Sequence, residues 1–490
     1  MKANLPDKEN GGSKRRRPRG RQNWDPDAGL ALHPEVRARL EVALRSTKAD
    51  KRGTPLEEVA RKLGLQLRGA GQLPEELLPA EKTLWILNHY AVTPDLPGRT
   101  RHFDLGRELI RQGWRVILFA SSFQHHDHRE AKLSGGERWR LEEVERVSIV
   151  WVRTTPYVRN DWRRALNMVS FAVRAWGIGR SLPRRETRVR RPDVVIGSSV
   201  HLLTVLAAWR LARRHRARFI MEVRDLWPET LIDMREVKKH SLVARLLRVL
   251  ERFLYRRADR IITLLPRAHE YIESRGIPGR KIVWIPNGVD VTRFEPVPAR
   301  RTTGSLFTVM YLGAHGQANT LDVVLEAAKL LQDQAKERVR FMLVGDGPEK
   351  PRLMEEAGRF SLSNVEFRNA IPKDDVPKTL AEADATVLVL HDLPLYRYGI
   401  SLNKLFDYLA AARPIILAGN PANNPVAEAM CGLVVPPQDP LALTEAVIAL
   451  LETPASERAA MGARGRAYVE ERHALPALAR RLAECLEEGA

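Results

Sequence analysis

Two successive series of short, continuous apolar runs constrain what this chain can fold into. The first series lies at residues 84–87, 116–120, 193–197, 219–223 and 260–265, and the second at residues 307–313, 341–345, 365–367, 385–390 and 414–418. Helical patterns separate the runs, and runs rich in Val, Ile and Leu are typical of parallel strands covered on both faces. The sequence therefore predicts an α/β protein with two Rossmann-like, doubly wound parallel-sheet domains that face a cleft.

Breaks in this alternation predict the domain organisation. Residues 1–80 are predicted to be a basic, partly disordered N-terminal extension, residues 81–294 a first Rossmann-like domain and residues 305–470 a second. Residues 295–304, which contain two prolines and a glycine, indicate a linker, and residues 471–490 are predicted to form a C-terminal helix. Because parallel sheets bind ligands outside the carboxyl ends of their strands, we expect the functional site in the cleft.

Positive charge is concentrated in the first part of the chain. The net charge is +20, and residues 301–490 carry −5, so the first 300 residues carry +25. Such asymmetry indicates that one half meets an anionic surface or partner. The two cysteines are too few for a disulfide framework, and no signal peptide or run of 18 apolar residues is recognisable. The sequence therefore predicts a cytoplasmic protein, with peripheral attachment to the membrane as an open alternative.

Glycines follow two predicted strands of the second series. Gly313 and Gly316 follow the first strand and precede a helix, and Gly345 and Gly347 follow the second strand. Glycines at such positions let backbone N–H groups approach a phosphate at the start of a helix. An ordinary tight turn between strand and helix explains the same pattern.

The segment 398–416 predicts a loop, a helix, a turn and a strand. Ser401 or Asn403 is predicted to cap the helix, so that its first turn presents free N–H groups together with the ammonium group of Lys404. This arrangement suits a diphosphate, and Asp407, one turn onward, could accept a ribose hydroxyl. The alternative is a surface ion pair between Lys404 and Asp407.

Four segments of the second half carry a resemblance to a known family. Residues 285–290 (IPNGVD), 344–348 (VGDGP), 403–408 (NKLFDY) with 413–415 (RPI), and 431–437 (CGLVVPP) resemble retaining glycosyltransferases of family 4, which have the GT-B fold. In the first half, residues 88–90, 97–99 and 222–229 are similar to the branch that includes fucosamine and fucose transferases of surface-polysaccharide assembly.

The resemblance implies a function and a donor site. Family 4 enzymes move a sugar, with retention, from a nucleotide sugar to a glycan or lipid-linked acceptor, here in cell-surface polysaccharide or glycoconjugate biosynthesis. A polyprenyl diphosphate is one such lipid carrier, and no metal or other cofactor is expected. The implied donor-binding residues are Gly313, Gly316, Gly345, Gly347, Arg397, Ser401, Asn403, Lys404 and Asp407.

Two positions depart from the family pattern. The family has two glutamates eight positions apart, whereas this chain has Gly399 at the first position and Asp407 at the second. The usual Lys or Arg in the loop after Gly313 is also missing. We expect Lys404 to bind the diphosphate instead, helped by Arg397.

Candidate catalytic residues lie in the first half. His102 and His89 could polarise a substrate hydroxyl, although a structural role is the alternative for His89. Arg224 and Asp225 follow a predicted strand and could orient the acceptor, or could pair with each other. The Asp25–Asp27 motif lies in the extension, and we interpret the His-rich segment 125–128 as an exposed loop, so no metal site is predicted.

An arginine stripe suggests a surface partner for the first domain. Arginines at positions 245, 248, 252 and 256 share one helix face, opposite Val243, Leu246, Leu250 and Phe253. This face could lie on anionic lipid, and a solvated arginine-rich face is the alternative.

The sequence leaves two alternative functions to be tested against the glycosyltransferase. The first is a non-hydrolysing sugar-nucleotide epimerase, against which the residues 285–288 and 403–404 argue. The second is a nucleic-acid-binding protein, which the basic isoelectric point suggests and the acidic second half disfavours, so no nucleic acid is expected as a partner.

Overall fold

The structure, a computed structural model, describes residues 82–488 except 97, 126–127, 159–160, 235, 296–305 and 335–337. The predicted extension 1–80, the Asp25–Asp27 motif, most of the 295–304 linker and two residues of the His-rich segment lie outside the described residues.

The first domain is built on an eight-stranded sheet. Its strands are β1 (Lys82–Leu87), β2 (Trp114–Ser121), β5 (Trp139–Val144), β6 (Val147–Val152), β7 (Val194–Ser198), β8 (Arg218–Val223), β9 (Arg260–Thr263) and β10 (Ile282–Trp284). Their order is β10-β9-β8-β7-β1-β2-β6-β5, and all neighbours are parallel except the β5–β6 pair. A small antiparallel pair, β3 (Phe123–Gln124) and β4 (Arg129–Glu130), stands apart.

Helices cover both faces of this sheet. They are α1 (Arg101–Arg111), α2 (Trp162–Gly179), α3 (Leu182–Arg185), α4 (Leu202–His215), α5 (Glu229–Asp233), α6 (Leu242–Arg257) and α7 (Ala268–Ser274). Alternate residues of β1 enter different cores: Trp85 packs in the core that includes α2 and α4, whereas Leu84 and Ile86 pack in the core that includes α1. Burial on both faces explains why the strands read as continuous apolar runs.

The second domain is built on a six-stranded, fully parallel sheet. Its strands are β11 (Phe307–Leu312), β12 (Val339–Val344), β13 (Val365–Arg368), β14 (Ala385–Val389), β15 (Ile415–Ala418) and β16 (Gly432–Val435), in the order β13-β12-β11-β14-β15-β16. Its helices are α8 (Asp322–Asp333), α9 (Lys350–Arg359), α10 (Val376–Leu380), α11 (Asn403–Ala410), α12 (Pro425–Glu428), α13 (Pro440–Glu452) and α14 (Ala455–Arg472). The predicted α/β fold class with two parallel sheets is confirmed.

The last helix, α15 (Leu475–Glu487), returns to the first domain. Leu478 and Leu482 pack in the same core as Leu84 and Phe103. The segment that crosses between the domains lies beneath this helix, because a Cβ on Gly288 would stand 2.4 Å from His473 O and 2.5 Å from Leu478 Cδ1. The C-terminal helix thus completes the hydrophobic core of the first domain.

Both sheets have a point where the strand order reverses. In the first sheet β1 lies between β2 and β7, and in the second sheet β11 lies between β12 and β14. Connections leave such a switch point in opposite directions and open a crevice at the carboxyl ends of the strands. The loops after β1, β7, β11 and β14 are therefore where a ligand is expected.

We predict that Leu478→Ala lowers the free energy of unfolding by about 3 kcal/mol, because it removes a fully buried side chain and leaves a cavity. Chemical denaturation monitored by tryptophan fluorescence measures the loss. The matched control is Arg480→Ala, an exposed position of the same helix, which should shift stability by less than about 0.5 kcal/mol. Equal stabilities for the two variants would contradict the packing of α15.

Candidate active site

A cavity of about 530 Å³ lies between the two domains at the carboxyl ends of their strands. The first domain contributes residues of the β1–α1 loop and the start of α1, and the second contributes the loop after β13 and the start of α11. The lining includes Gly98, Thr100, Arg101, Asp104, Arg293, Ile371, Lys373, Asn403 and Asp407.

The glycine loops of the second domain pack on each other. Gly345 has φ +146°, and a Cβ there would stand 1.9 Å from Gly313 O, while a Cβ on Gly347 would stand 2.3 Å from His315 O. Backbone hydrogen bonds join the loops, from His315 N to Asp346 O (2.9 Å) and from Glu349 N to His315 O (3.0 Å). Gly345 and Gly347 are therefore required by loop-on-loop packing. Gly316 has no such neighbour, since a Cβ there would meet only Asn319, at 4.0 Å.

Lys404 projects from the first turn of α11 towards the β11 loop. Its Nζ donates to Tyr311 Oη (2.6 Å) and Asn319 Oδ1 (2.7 Å), and it passes Gly313, where a Cβ would stand 3.1 Å from Nζ. Burial, together with the charge of Arg99, lowers the pKa of Lys404 to about 7. An amine held this way gains its full charge when an anion binds beside it.

The helix start differs from the sequence prediction. The N-cap residue of α11 is Leu402, and no side chain caps the helix, so the prediction that Ser401 or Asn403 is the cap is wrong. Ser401 instead fixes the inter-domain segment, because its Oγ accepts from Asn287 N (2.8 Å) and its backbone oxygen accepts from Asn287 Nδ2 (2.6 Å). The first-turn N–H groups of α11 thus lack a side-chain acceptor.

Asp407, which follows Lys404 by three residues on α11, lines the cavity. In the part of the chain that the structure describes, no ion pair joins these two residues, so the alternative of a surface pair does not hold. Burial raises the pKa of Asp407 to about 6, although Lys373 and Arg293 act against the rise and Asp104 adds to it. Lys404 thus contacts the loop after β11, whereas Asp407 lines the cavity.

An ion pair joins two cavity-lining residues of different domains. Lys373 Nζ of the second domain donates to Asp104 Oδ2 (2.8 Å) and to Thr100 Oγ1, both at the start of α1. Arg107 of α1 also pairs with Asp290 Oδ2 at 3.0 Å. These contacts tie the first helix of one domain to the other side of the cleft.

His102 belongs to a buried hydrogen-bond network. Its Nδ1 accepts from Asn88 Nδ2 (2.7 Å), and its Nε2 donates to Glu222 Oε2 (2.7 Å). Both ring nitrogens are therefore occupied within the protein, and His102 is placed to position Glu222 rather than to polarise a substrate hydroxyl, as the sequence suggested. Burial alone would raise the pKa of Glu222, but His102 and Arg101 hold it well below its usual range.

His89 lies in an aromatic cluster after β1. Its ring stacks against Phe171 (4.4 Å) and Tyr90 (4.4 Å), and its Nδ1 is 2.8 Å from His201 Nε2. Burial, with the neighbouring His201, lowers the pKa of His89 well below its ordinary value, so the ring is neutral. Its Nε2 has no hydrogen bond of normal geometry among the described residues, although the side chain of Asn167 interacts with the ring and raises its pKa.

Arg224 and Asp225 follow β8 and do not pair with each other. The described residues provide no ion pair between them, although the charge of Asp225 raises the pKa of Arg224 against the lowering by burial. Arg224 is 6% exposed, and only its backbone has a described hydrogen bond, from N to Ser199 Oγ (3.2 Å). Asp225 is partly exposed beside it.

Arg397 lies apart from Lys404. Its guanidinium donates to Tyr398 Oη (2.8 Å) and stacks 4.7 Å over the Tyr398 ring. The neighbouring Gly399 has φ +96°, and a Cβ there would stand 2.5 Å from Asn423 Oδ1 and 2.7 Å from Pro266. The backbone at the position of the missing glutamate is thus shaped for glycine.

Sequence reasoning missed several residues of the cleft. Tyr311 and Asn319 hold Lys404, Lys373 crosses to Asp104, and His315 is fully buried with neither ring nitrogen paired among the described residues. His315 stood inside the predicted glycine loop, and that position was the available signal. The other contacts come from strands and loops that are distant in sequence.

Family models match both domains of the chain. Residues 99–288 match a glycosyl transferase 4-like domain, and residues 307–453 match the glycosyl transferases group 1 domain, together more than half of the chain. The chain is a family 4 glycosyltransferase. This is a retaining family whose members use nucleotide sugars, and the predicted enzyme class is confirmed.

Relatives in two bacteria share part of the sequence. The probable glycosyltransferase WbjE of Pseudomonas aeruginosa is 24% identical over 54% of this chain and 68% of its own length. The putative colanic acid biosynthesis glycosyl transferase WcaI of Escherichia coli (strain K12) is 26% identical over 51% of this chain and 63% of its own length. The glycosyltransferase thus matches WcaI over less than two thirds of that relative.

Solved structures share the whole fold. Sucrose-phosphate synthase from Thermosynechococcus elongatus superposes with a TM-score of 0.63 at 15% identity and covers 82% of this chain and 98% of its own. Anabaena HepE in complex with UDP and glucose gives a TM-score of 0.58 at 13% identity, over 83% and 99%. At these identities the likeness establishes the GT-B fold.

We predict that binding of a nucleoside diphosphate at pH 8 is accompanied by proton uptake. The pKa of Lys404 is about 7 in the free glycosyltransferase, so the amine is largely neutral at pH 8, and an adjacent diphosphate will raise that pKa and protonate it. Calorimetric titrations in buffers of different ionisation enthalpy measure this uptake.

Two comparisons make the measurement specific to Lys404. At pH 6 the amine is already protonated, so its share of the uptake should vanish. Lys404→Arg, whose guanidinium stays charged, should abolish the uptake at pH 8, whereas Lys329→Ala, an exposed lysine of α8, should preserve it. Uptake that persists in Lys404→Arg would show that another group binds the proton.

Proposed function

We propose that the chain is a hexosyltransferase-type enzyme. It transfers a sugar from a nucleoside-diphosphate sugar to a glycan or polyprenyl-diphosphate-linked acceptor, with retention, in surface-polysaccharide or glycoconjugate biosynthesis. The observation that carries the proposal is the Lys404 amine beside the uncapped start of α11, at the switch point of the second sheet. The name of WcaI, a putative colanic acid biosynthesis glycosyl transferase, supports the pathway, and the fucosamine and fucose transferase branch is the part of the family we propose.

The chemistry follows from charge development in the reaction. Breaking the bond between the anomeric carbon and the diphosphate oxygen places negative charge on the leaving group and makes the sugar oxocarbenium-like. The Lys404 ammonium, the Asn403 amide and the free N–H groups of α11 can stabilise the departing diphosphate. The acceptor hydroxyl then attacks from the same face, and a phosphate oxygen can take its proton, so neither a protein nucleophile nor a metal is required by the proposal.

The residues that line the cavity suggest how the donor lies. We place the ribose at Asp407, whose carboxylate can accept a hydroxyl hydrogen bond, and the base near Ile371, in the loop after β13. The diphosphate then reaches Lys404, and the sugar points to the loops after β1 and β8 of the first domain. His89 and Asp225 are proposed on that side for the acceptor.

The proposal predicts selective nucleotide binding and product formation. Among UDP, GDP, dTDP and ADP, one should bind saturably, and Lys404→Ala should weaken it by about 10- to 100-fold, because a charge-assisted hydrogen bond is lost. Calorimetry measures the binding, and Lys329→Ala is the control. With the matching nucleotide sugar and a lipid-linked acceptor, NMR should show a product that keeps the anomeric configuration.

The outcomes separate the rival functions. Conversion of the nucleotide sugar without any acceptor would identify a sugar-nucleotide epimerase. If none of the four nucleotides binds and the protein gives a salt-sensitive gel shift with nucleic acid, the proposal is wrong and the chain is a nucleic-acid-binding protein.

We also propose that the first domain lies on an anionic membrane surface. The helices α2 and α6 pack on either side of α4 and belong to one core. Each exposes large apolar side chains: Trp162, Leu166, Val169 and Val173 on α2, and Leu242, Val243, Leu246 and Val249 on α6. Val243 and Leu246 are 54% and 61% exposed.

Charge accompanies these exposed apolar side chains. Arg245, Arg252 and Arg256 are exposed on α6, and Arg163 follows Trp162 on α2. Apolar side chains next to arginines are typical of helices that lie in the interface of anionic lipid. In the described part of the chain, no helix has the length and apolarity to span a bilayer, so the proposal is a surface contact.

We predict that the protein floats with vesicles that contain anionic phospholipid and not with phosphatidylcholine alone. Replacing Trp162, Val169 and Leu246 with serine should reduce flotation at least fivefold, because it removes apolar area that enters the interface. The control replaces Met354 with serine, an exposed apolar residue of the second domain. Equal flotation of both variants would contradict the α2–α6 surface.

A further inference from the structure

A second cavity, of about 620 Å³, lies at the edge of the first domain's sheet. Its lining comes from the start of β5, the residue after β6, the C-terminal half of α2 and the end of α3. None of its lining residues lines the cavity between the domains. The volume is in the range of pockets that bind small ligands, and the proposed donor and acceptor positions do not use it.

Positive charge dominates the lining of this second cavity. Arg138, Arg153, Arg174 and Arg185 line it together with the partly buried ring of Trp139. In the part of the chain that the structure describes, the lining includes no acidic side chain. Like charges that share a cavity repel one another, so an anion is the class of ligand that this lining favours.

Backbone oxygens hold two of the four arginines in place. Arg153 donates from Nε to Glu137 O and from Nη2 to Ser134 O (3.3 Å). Its ion pair with Glu130 is long, at 3.9 Å from Nη1 to Oε2. Arg174 Nη1 donates to Arg153 O (2.6 Å). A carbonyl oxygen positions a guanidinium group without neutralising its charge, so these two cations stay available for an anion.

The other two arginines have no counter-ion in the described part of the chain. Arg138 precedes β5 and Arg185 ends α3, and both side chains are exposed. No hydrogen bond or ion pair of either guanidinium group occurs among the described residues. The cavity therefore combines two positioned cations with two that can turn onto a ligand.

Gly177 connects this cavity to the exposed face of α2. It lines the cavity, and a Cβ there would meet no atom within 4 Å. It also follows the exposed Trp162, Leu166, Val169 and Val173 at steps of four, three, four and four residues, which places all five on one helix face. The cavity thus lies where the apolar face of α2 ends.

We propose that this arginine cavity binds the phosphate group of an anionic phospholipid. The inference rests on the proposed membrane contact of α2 and α6 and gives that contact a specific headgroup site. An anionic headgroup lies just outside the apolar layer that Val169 and Val173 would enter, at the level of the arginines. Guanidinium groups bind phosphate oxygens at two points, and Trp139 offers an apolar surface to the glycerol part of the headgroup.

The apolar face of α2 favours a lipid over other phosphate compounds. A free phosphate ion or a phosphorylated glycan offers the same anion to the arginines. Neither accounts for four large apolar side chains exposed along the helix that leads to the cavity. These other ligands are therefore outcomes that the experiment must distinguish.

One pair of variants changes charge. Arg174→Ala combined with Arg185→Ala removes two cations from the cavity. The matched control, Arg188→Ala combined with Arg190→Ala, removes two exposed arginines that do not line it. The control also loses two charges, so a difference between the two double variants reports the cavity rather than the net charge.

A second pair of variants changes only shape. Gly177→Leu places a side chain in the open space of the cavity, and the helix should tolerate it because leucine is the better helix former. Ala165→Leu adds a leucine at an exposed position of α2 outside the cavity and is the control. Both variants add apolar surface to α2 and leave the charge unchanged.

The first measurement is calorimetric binding of dihexanoylphosphatidylglycerol below its critical micelle concentration. We expect the Arg174/Arg185 double variant and Gly177→Leu to weaken binding about tenfold or more, and both controls to stay within about twofold of wild type. No binding to wild type, or equal binding by each variant and its control, would overturn the inference. Inorganic phosphate that binds wild type as tightly, with the same losses, would also overturn it, because the site would then be one for free phosphate.

The second measurement is flotation with vesicles of phosphatidylcholine and phosphatidylglycerol. We expect each cavity variant to float less than its control, and Gly177→Leu to do so although it adds apolar surface. Equal flotation within both pairs would overturn the headgroup site. A wild type that binds its nucleotide but does not float would overturn the membrane contact and this inference with it. A wild type that floats but binds no nucleotide would instead overturn the proposed enzymatic function.

Discussion

The buried contact between Arg101 and Glu222 holds the architecture of the cleft. Arg101 Nε donates to Glu222 Oε1 (3.0 Å), while its two terminal nitrogens donate to Ile285 O (2.8 Å) and Pro286 O (2.5 Å). One guanidinium thus joins the start of α1, the end of β8 and the segment that leads to the second domain. Because this contact is buried, removing either partner would leave a charge without compensation.

The positions of the residues around the start of α1 depend on the contacts of Arg101. Arg99, Thr100 and Asp104 lie within three residues of Arg101, so fixing Arg101 also fixes the first domain's side of the cleft. On the other side, Asn287 is tied to Ser401, which precedes α11 and Lys404. The inter-domain segment 285–287 therefore forms hydrogen bonds to both sides of the cleft, to the start of α1 and to the residue two positions before α11.

Strands and fold class were predictable from sequence because burial on both faces of a parallel sheet leaves continuous apolar runs. Individual side-chain contacts could not be predicted in this way. His102 looked like a free catalytic histidine, but its partner Glu222 lies 120 positions away in the chain. The exposure of Val243 and Leu246 was not predictable either, because helical spacing defines two faces of a helix without saying which one packs against the protein. The position of Lys404 in the first turn of a helix was predictable from the sequence. Its hydrogen bonds to Tyr311 and Asn319 were not predictable.

The glycine at position 399 shows how one local constraint reshapes the donor site. A side chain there would collide with Pro266 of the first domain and with Asn423, whose Oδ1 accepts from Ile400 N (2.6 Å). The loop before Gly399 also contacts the first domain directly, because Arg267 N donates to Tyr398 O (3.1 Å). A glutamate at this position would require the loop to leave the first domain. Glycine at position 399 therefore allows the loop before α11 to pack directly against the first domain.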